Sequence, residues 1–110
     1  MADFRGVAIA LVILAAAWPA AAQDAGDSAA GKRLAETWCA NCHLVGPGQQ
    51  QGASTGAPSF RAIAEDKAVT PMALRAFLQT PHHRMPDLHL SRDEIEDVTA
   101  YIHSLRANGR

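Results

Sequence analysis

The chain has 110 residues, is 19% charged and 48% hydrophobic, and carries a formal net charge of −1. That length holds one domain rather than two. The near-neutral balance excludes a nucleic-acid binder acting through a strongly basic surface and a charge-driven disordered tail.

Aromatic residues make up only 5% of the chain. Alanine supplies much of the apolar count, and each alanine buries little area. Something besides side chains is therefore expected in the interior.

Residues 6–17 form an almost unbroken apolar run, preceded by Arg5 and followed by Trp18-Pro19-Ala20-Ala21-Ala22. The run falls short of the ~20 residues needed to span a bilayer as a helix. A charged start, a short apolar stretch and small residues at Ala20 and Ala22 predict a secretory signal peptide over residues 1–22, cleaved after Ala22. The competing reading is an uncleaved membrane anchor. No cysteine follows the cleavage site, which argues against a lipid-anchored form. The domain then comprises residues 23–110. A domain of this size is marginal without a staple, metal or cofactor. Export places its two cysteines, Cys39 and Cys42, in an oxidising compartment.

In the mature part, residues 23–28 are small and polar and read as a frayed terminus. Asp27 or Ser28 can cap a helix over residues 29–38, where Leu34, Ala35 and Trp38 recur at helical spacing. This helix runs directly into the cysteines. Residues 44–59 carry Gly46, Pro47, Gly48, Gly52, Gly56 and Pro58 beside Gln49-Gln50-Gln51, and read as a long loop. A loop of that length in a compact domain is functional or packed against something. A weak helical turn follows over residues 60–64.

Thr70-Pro71 is a helix start, with a capping hydroxyl and then proline at the first helical position. Met72, Leu74, Phe77 and Leu78 give that helix its apolar face, and it ends before Pro81. Residues 81–90 are irregular, with Met85-Pro86 at their centre. Ser91-Arg92-Asp93-Glu94 is a capping box, with acids suited to the positive end of the helix dipole. Ile95, Val98, Ile102 and Leu105 form one inward stripe, Tyr101 lies close to it, and Asn108-Gly109 is a suitable stop. No segment alternates with period two, so the chain reads as all-α, without strands and without internal repeats.

Cys39-Ala40-Asn41-Cys42-His43 is the decisive motif, matching the Cys-x-x-Cys-His pattern of c-type haem attachment. Two thiols about one helical turn apart can each form a thioether with a vinyl group along one porphyrin edge. The adjacent His43 then places its imidazole under the iron. Three other chemistries compete for these residues. A thioredoxin-like redox pair belongs at a helix N-terminus after a strand, whereas this pair ends a helix. A zinc site needs a further ligand; His82 or His83 are candidates, but no second paired motif exists. A disulfide between Cys39 and Cys42 closes too short a loop to stabilise much.

With this motif in view, the chain resembles the small monohaem class I cytochromes c of bacteria over residues 29–105. Gly31-Lys32-Arg33-Leu34 resembles the family's N-terminal helix. Ala57-Pro58-Ser59-Phe60 resembles the segment after the loop. Met85-Pro86 and the stretch from Ile95 through Ile102 resemble the distal-ligand loop and C-terminal helix. One departure is Ala35, four residues before Cys39, where the family often has an aromatic. The contact between the terminal helices is therefore expected to rest on Gly31, Leu34 and Tyr101.

The resemblance implies a cytochrome c fold, with three main helices packed around a covalently attached haem c. It implies Met85 as the second axial ligand, and the chemistry agrees, since a soft thioether favours ferrous iron. Met72, on an apolar stripe, reads as core. His82 and His83 are rival ligands but are expected to be solvated; His103 is expected at the surface, and His89 is left open. The resemblance also implies that the Pro58 carbonyl accepts the other ring N–H of His43, against the reading that Pro58 merely ends the loop.

With His43 and Met85 on the iron no coordination position is vacant, which suits one-electron transfer rather than catalysis. Leu74, Phe77, Leu78, Ile95, Val98 and Ile102 are expected to pack on the haem. The expected function is a periplasmic, monomeric electron carrier that meets redox partner proteins transiently. One alternative is a haem c subunit held permanently to an exported or membrane dehydrogenase or oxidase. A weaker one is a haem sensor or peroxidase whose Met85 detaches.

Overall fold

The computed structural model describes residues 26–49 and 56–106. The leader over residues 1–22 and the Asn108-Gly109 stop lie outside the described residues. Among the described residues, four helices, α1 (Ser28–Trp38), α2 (Phe60–Glu65), α3 (Pro71–Gln79) and α4 (Arg92–Ser104), account for the regular structure, with one 3₁₀ turn over Cys39–Asn41. No strand occurs among the described residues.

Each helix begins where a short polar side chain can replace missing intrahelical partners. The Asp27 carboxylate accepts from the amides of Ala29 and Ala30. Ser59 accepts from Ala62, and Thr70 from Ala73, with Pro71 completing the start of α3. Ser91 and Glu94 form both halves of the capping box at α4. Helix α4 ends at Ser104, earlier than the Asn108-Gly109 signal suggested. Its last turn tightens into 3₁₀-type bonds, Leu105 N–H to the Ile102 carbonyl at 3.0 Å and Arg106 N–H to that of His103 at 3.2 Å. The Arg106 guanidinium then donates to the Ala64 carbonyl at 2.8 Å, tying the end of α4 to the end of α2.

Helices α1 and α4 form the most extensive pair. They meet backbone to backbone at Gly31, where an added Cβ would lie 1.9 Å from the Asp97 carbonyl oxygen. Just before α1, the Asp27 amide donates to the Asp97 carboxylate at 2.7 Å. Gly31 thus carries the helix contact as expected, and Leu34 is partly buried against the core. Tyr101 is buried, but its hydroxyl is spent elsewhere, on the Val45 carbonyl. Ala35 is fully buried at 0% exposure, so the departure from the family's aromatic leaves a small residue inside the core. Helix α3 is fixed to α4 by Arg75, whose Nε lies 2.7 Å from the Glu96 carboxylate.

The side chains that do pack together are few: Ala35, Cys39, Val45, Phe60, Ala64, Leu74, Val98, Tyr101 and Ile102. Met72 is not among them. It is 76% exposed, which corrects its reading as core. Residues two apart on a helix do not share a face, so Met72 falls away from the side formed by Leu74, Phe77 and Leu78.

Replacing Gly31 with alanine forces a methyl group into the Asp97 carbonyl. We expect Gly31→Ala to destabilise the protein by about 3 kcal/mol, at the upper end for overpacking. That corresponds to a Tm about 12 °C or more lower for a domain of this size. Thermal unfolding followed by circular dichroism checks this, and an unchanged midpoint contradicts it.

Candidate functional site

Helix α1 delivers the cysteine motif to the centre of the molecule. At its end the chain tightens into the 3₁₀ turn, and the Cys39 carbonyl accepts from both the Cys42 amide at 3.1 Å and the His43 amide at 2.9 Å. Asn41 donates its side-chain amide to the Trp38 carbonyl at 3.2 Å, satisfying one open group at the helix end. The turn leaves Cys39 buried, Cys42 half-buried and both thiols free.

These residues form part of the wall of a cavity of about 450 Å³. That falls within the ~300–1,000 Å³ range of small-molecule and cofactor sites. Cys39, Cys42, His43, Pro58 and Met85 all contribute to its lining. The structure therefore brings together the five residues singled out from the sequence. The rest of the lining is mainly apolar, with Phe60, Leu74, Phe77, Leu78, Val98 and Ile102 among its side chains and Arg84 beside Met85. Ile95 does not contribute, contrary to expectation. It is buried, but it lies one turn nearer the start of α4 than Val98.

His43 is held from several directions. Its Nδ1–H donates to the Pro58 carbonyl at 2.6 Å. A carbonyl can only accept, so this bond selects the tautomer in which Nε2 keeps a free lone pair for a metal. The Phe60 ring lies 5.5 Å away, tilted by 51°, and the Phe60 amide donates to the Leu44 carbonyl at 2.9 Å. Gly56, at φ +99°, supplies a left-handed backbone position on the approach to Pro58.

Burial pushes the Cys39 thiol up to about 11, opposite to the depressed value a redox-active thiolate needs. No group of three or more His, Cys, Asp or Glu side chains able to hold a metal ion occurs among the described residues. A metal here would have to arrive in its own organic frame. A broad apolar cavity flanked by two free thiols, an imidazole and a thioether fits a haem.

The other histidines stand apart. His82, expected to be solvated, is instead half-buried. Its ring stacks on Phe77 at 3.6 Å with 12° between the planes, and its Nε2 donates to the Phe77 carbonyl at 2.9 Å. His83 is exposed, as expected. His89 is exposed, sits at φ +51° and pairs with Asp87 at 3.5 Å. His103, expected at the surface, is half-buried, and its Nε2 has no hydrogen-bond partner. Burial, then Arg106 and Arg75, lower its pKa.

One residue escaped the sequence reading. Gln49, taken as part of a polar run, is half-buried. It accepts from the Val45 amide at 3.0 Å and donates to the carbonyls of Ala40 at 3.0 Å and His43 at 2.8 Å. Nothing in a Gln-Gln-Gln stretch distinguishes the first residue from the next two.

Comparison with known proteins shows the family. The family model described as cytochrome c oxidase, cbb3-type, subunit III matches residues 26–102. Cytochrome c-552 of Bradyrhizobium diazoefficiens is 42% identical over 102 residues, covering 93% of this chain and 94% of the relative. No solved structure matches.

Tyr101 closes the site from behind through its bond to Val45. Tyr101→Phe leaves the buried Val45 carbonyl without that donor and is expected to cost about 1–3 kcal/mol. The midpoint of urea unfolding measures it; a variant as stable as wild type contradicts it.

Proposed function

We propose that this chain, which belongs to the cytochrome c family matched by that family model, is a freestanding periplasmic one-electron carrier with His/Met ligation. Membership establishes the coarser part: the fold is all-α and the chain is an electron carrier holding haem c covalently. The finer assignments are our reading of the site. Cys39 and Cys42 would carry the thioether links, His43 and Met85 would ligate the iron, and the Pro58 carbonyl orients His43. The observation that carries the reading is the His43 Nδ1–H bond to Pro58 beside a cavity shared with both thiols and Met85.

Bound haem supplies a one-electron Fe(III)/Fe(II) couple. The protein's own groups set the conditions for it. Pro58, by accepting from Nδ1–H, fixes the ring of His43 and raises the basicity of Nε2. The Met85 thioether, a soft ligand, favours the reduced state. The apolar lining from Phe60, Leu74, Val98 and Ile102 would keep water from a metal held there. With both His43 and Met85 as ligands, bound iron would have no position open to substrate, which suits electron transfer rather than catalysis. Trp38 and Phe77 line the cavity and remain 54% and 42% exposed. They offer apolar surface to redox partner proteins for brief, small contacts.

The leader over residues 1–22 supports export, and no helix among the described residues is long and apolar enough to cross a membrane. The relative matched over 94% of its own length carries the name of a cytochrome, cytochrome c-552, which supports reading this chain as a freestanding carrier rather than a permanently bound enzyme subunit.

The visible spectrum tests the ligation. We expect sharp reduced α and β bands and a weak far-red band in the oxidised protein, and loss of that far-red band in Met85→Ala. The ferrous wild type should bind carbon monoxide slowly or not at all, and the variant rapidly. An unchanged far-red band in the variant excludes Met85 as ligand. Elution as a monomer in gel filtration fits the carrier; co-purification with a large enzyme contradicts it.

A further inference from the structure

Cys39 spends its carbonyl twice, on the amides of Cys42 and His43. The next carbonyl along, that of Ala40, therefore receives no backbone amide from within the turn. The His43 carbonyl, at the end of the motif, is in the same position. The side chain of Gln49 meets both with its Nε2, at 3.0 Å and 2.8 Å, while its Oε1 takes the Val45 amide at 3.0 Å. A carboxamide offers two donor hydrogens and an acceptor on one rigid plane, and here both ends of that plane are engaged. Gln49 is itself anchored, since its own amide closes the preceding turn onto the Gly46 carbonyl at 3.3 Å.

His43 is thus gripped at two separate places. Pro58 holds the far edge of its ring, and Gln49 holds its backbone and the turn on either side. A backbone free to rotate would carry the ring away from Pro58 and lengthen that bond.

We propose that Gln49 is a positioning residue for His43: its carboxamide locks the attachment turn, sustains the Nδ1–H bond to Pro58, and so tunes the reduction potential. This rests on the reading of His43 as an iron ligand. The effect has a definite sign. A strong bond from Nδ1–H makes the imidazole a better donor, which favours the oxidised metal. Loosening the turn weakens that bond and raises the potential.

Two variants of the full chain, matured with haem, test this. Gln49→Ala removes the bonds to Val45, Ala40 and His43. Gln49→Glu keeps an acceptor for the Val45 amide but loses both donors and turns an oxygen toward two carbonyls. Gln49→Ala is expected to show a higher midpoint potential, and both variants are expected to show altered His43 ring-proton shifts in paramagnetic NMR. Amide exchange at Val45 is expected to quicken about fivefold to tenfold in Gln49→Ala and to stay near wild type in Gln49→Glu.

Variants that lose stability but keep the wild-type potential and ring-proton shifts overturn the proposal, leaving Gln49 a purely structural residue; a fall in potential in Gln49→Ala overturns it too. If Gln49→Glu fails to mature, Gln49→Ala alone carries the comparison. Wild-type protein without haem, or without iron-shifted His43 resonances, would instead defeat the ligation reading on which the proposal rests.

Discussion

An interior that the chain's own side chains do not fill is the constraint on which the rest of the structure depends. The buried cluster is small and includes two alanines and a cysteine. Beside it lies a cavity of about 450 Å³ walled by the same elements. Close-packed interiors normally tolerate few voids larger than a water molecule. A void of this size in so short a chain is a place for a large apolar guest, and membership in the cytochrome c family supplies its identity. The guest accounts for the low aromatic content as well as for the function.

The remaining features serve to bring the walls of that cavity together. Gly31 lets α1 and α4 touch along their backbones; the first leads into the turn that carries the thiols and the second presents Val98 and Ile102. Tyr101 reaches from α4 to the Val45 carbonyl, just past His43. Arg75 and Glu96 fix α3, with Leu74, Phe77 and Leu78, against the same helix. On our reading of the site, His82, stacked on Phe77 and bonded to its carbonyl, fastens the start of the segment that presents Met85. Stability and electron transfer then draw on the same contacts.

Much of this was legible in the residues because the relevant signals are local. The caps at Asp27, Thr70 and Ser91 require only a side chain and the amides two or three positions later. The Cys-x-x-Cys-His spacing carries its own chemistry. What stayed hidden depended on which way a face turns or which distant backbone group needs a partner. Met72 looked apolar enough for the core, but its position two residues from Leu74 sends it to solvent. Ile95 kept to its stripe yet lies a turn short of the cavity. His82 found a partner in Phe77 that spacing alone does not reveal. Gln49 was invisible, because its importance comes from carbonyls left open by a turn whose hydrogen bonds cannot be counted before the turn is seen.

If the haem is the missing interior, the polypeptide alone lacks most of what holds it together. Circular dichroism of the Cys39→Ala, Cys42→Ala chain, compared with wild type through a thermal melt, puts this most directly. The account predicts a largely unfolded chain with little helical signal and no cooperative transition. A native-like helical spectrum that melts cooperatively near the wild-type temperature would contradict it.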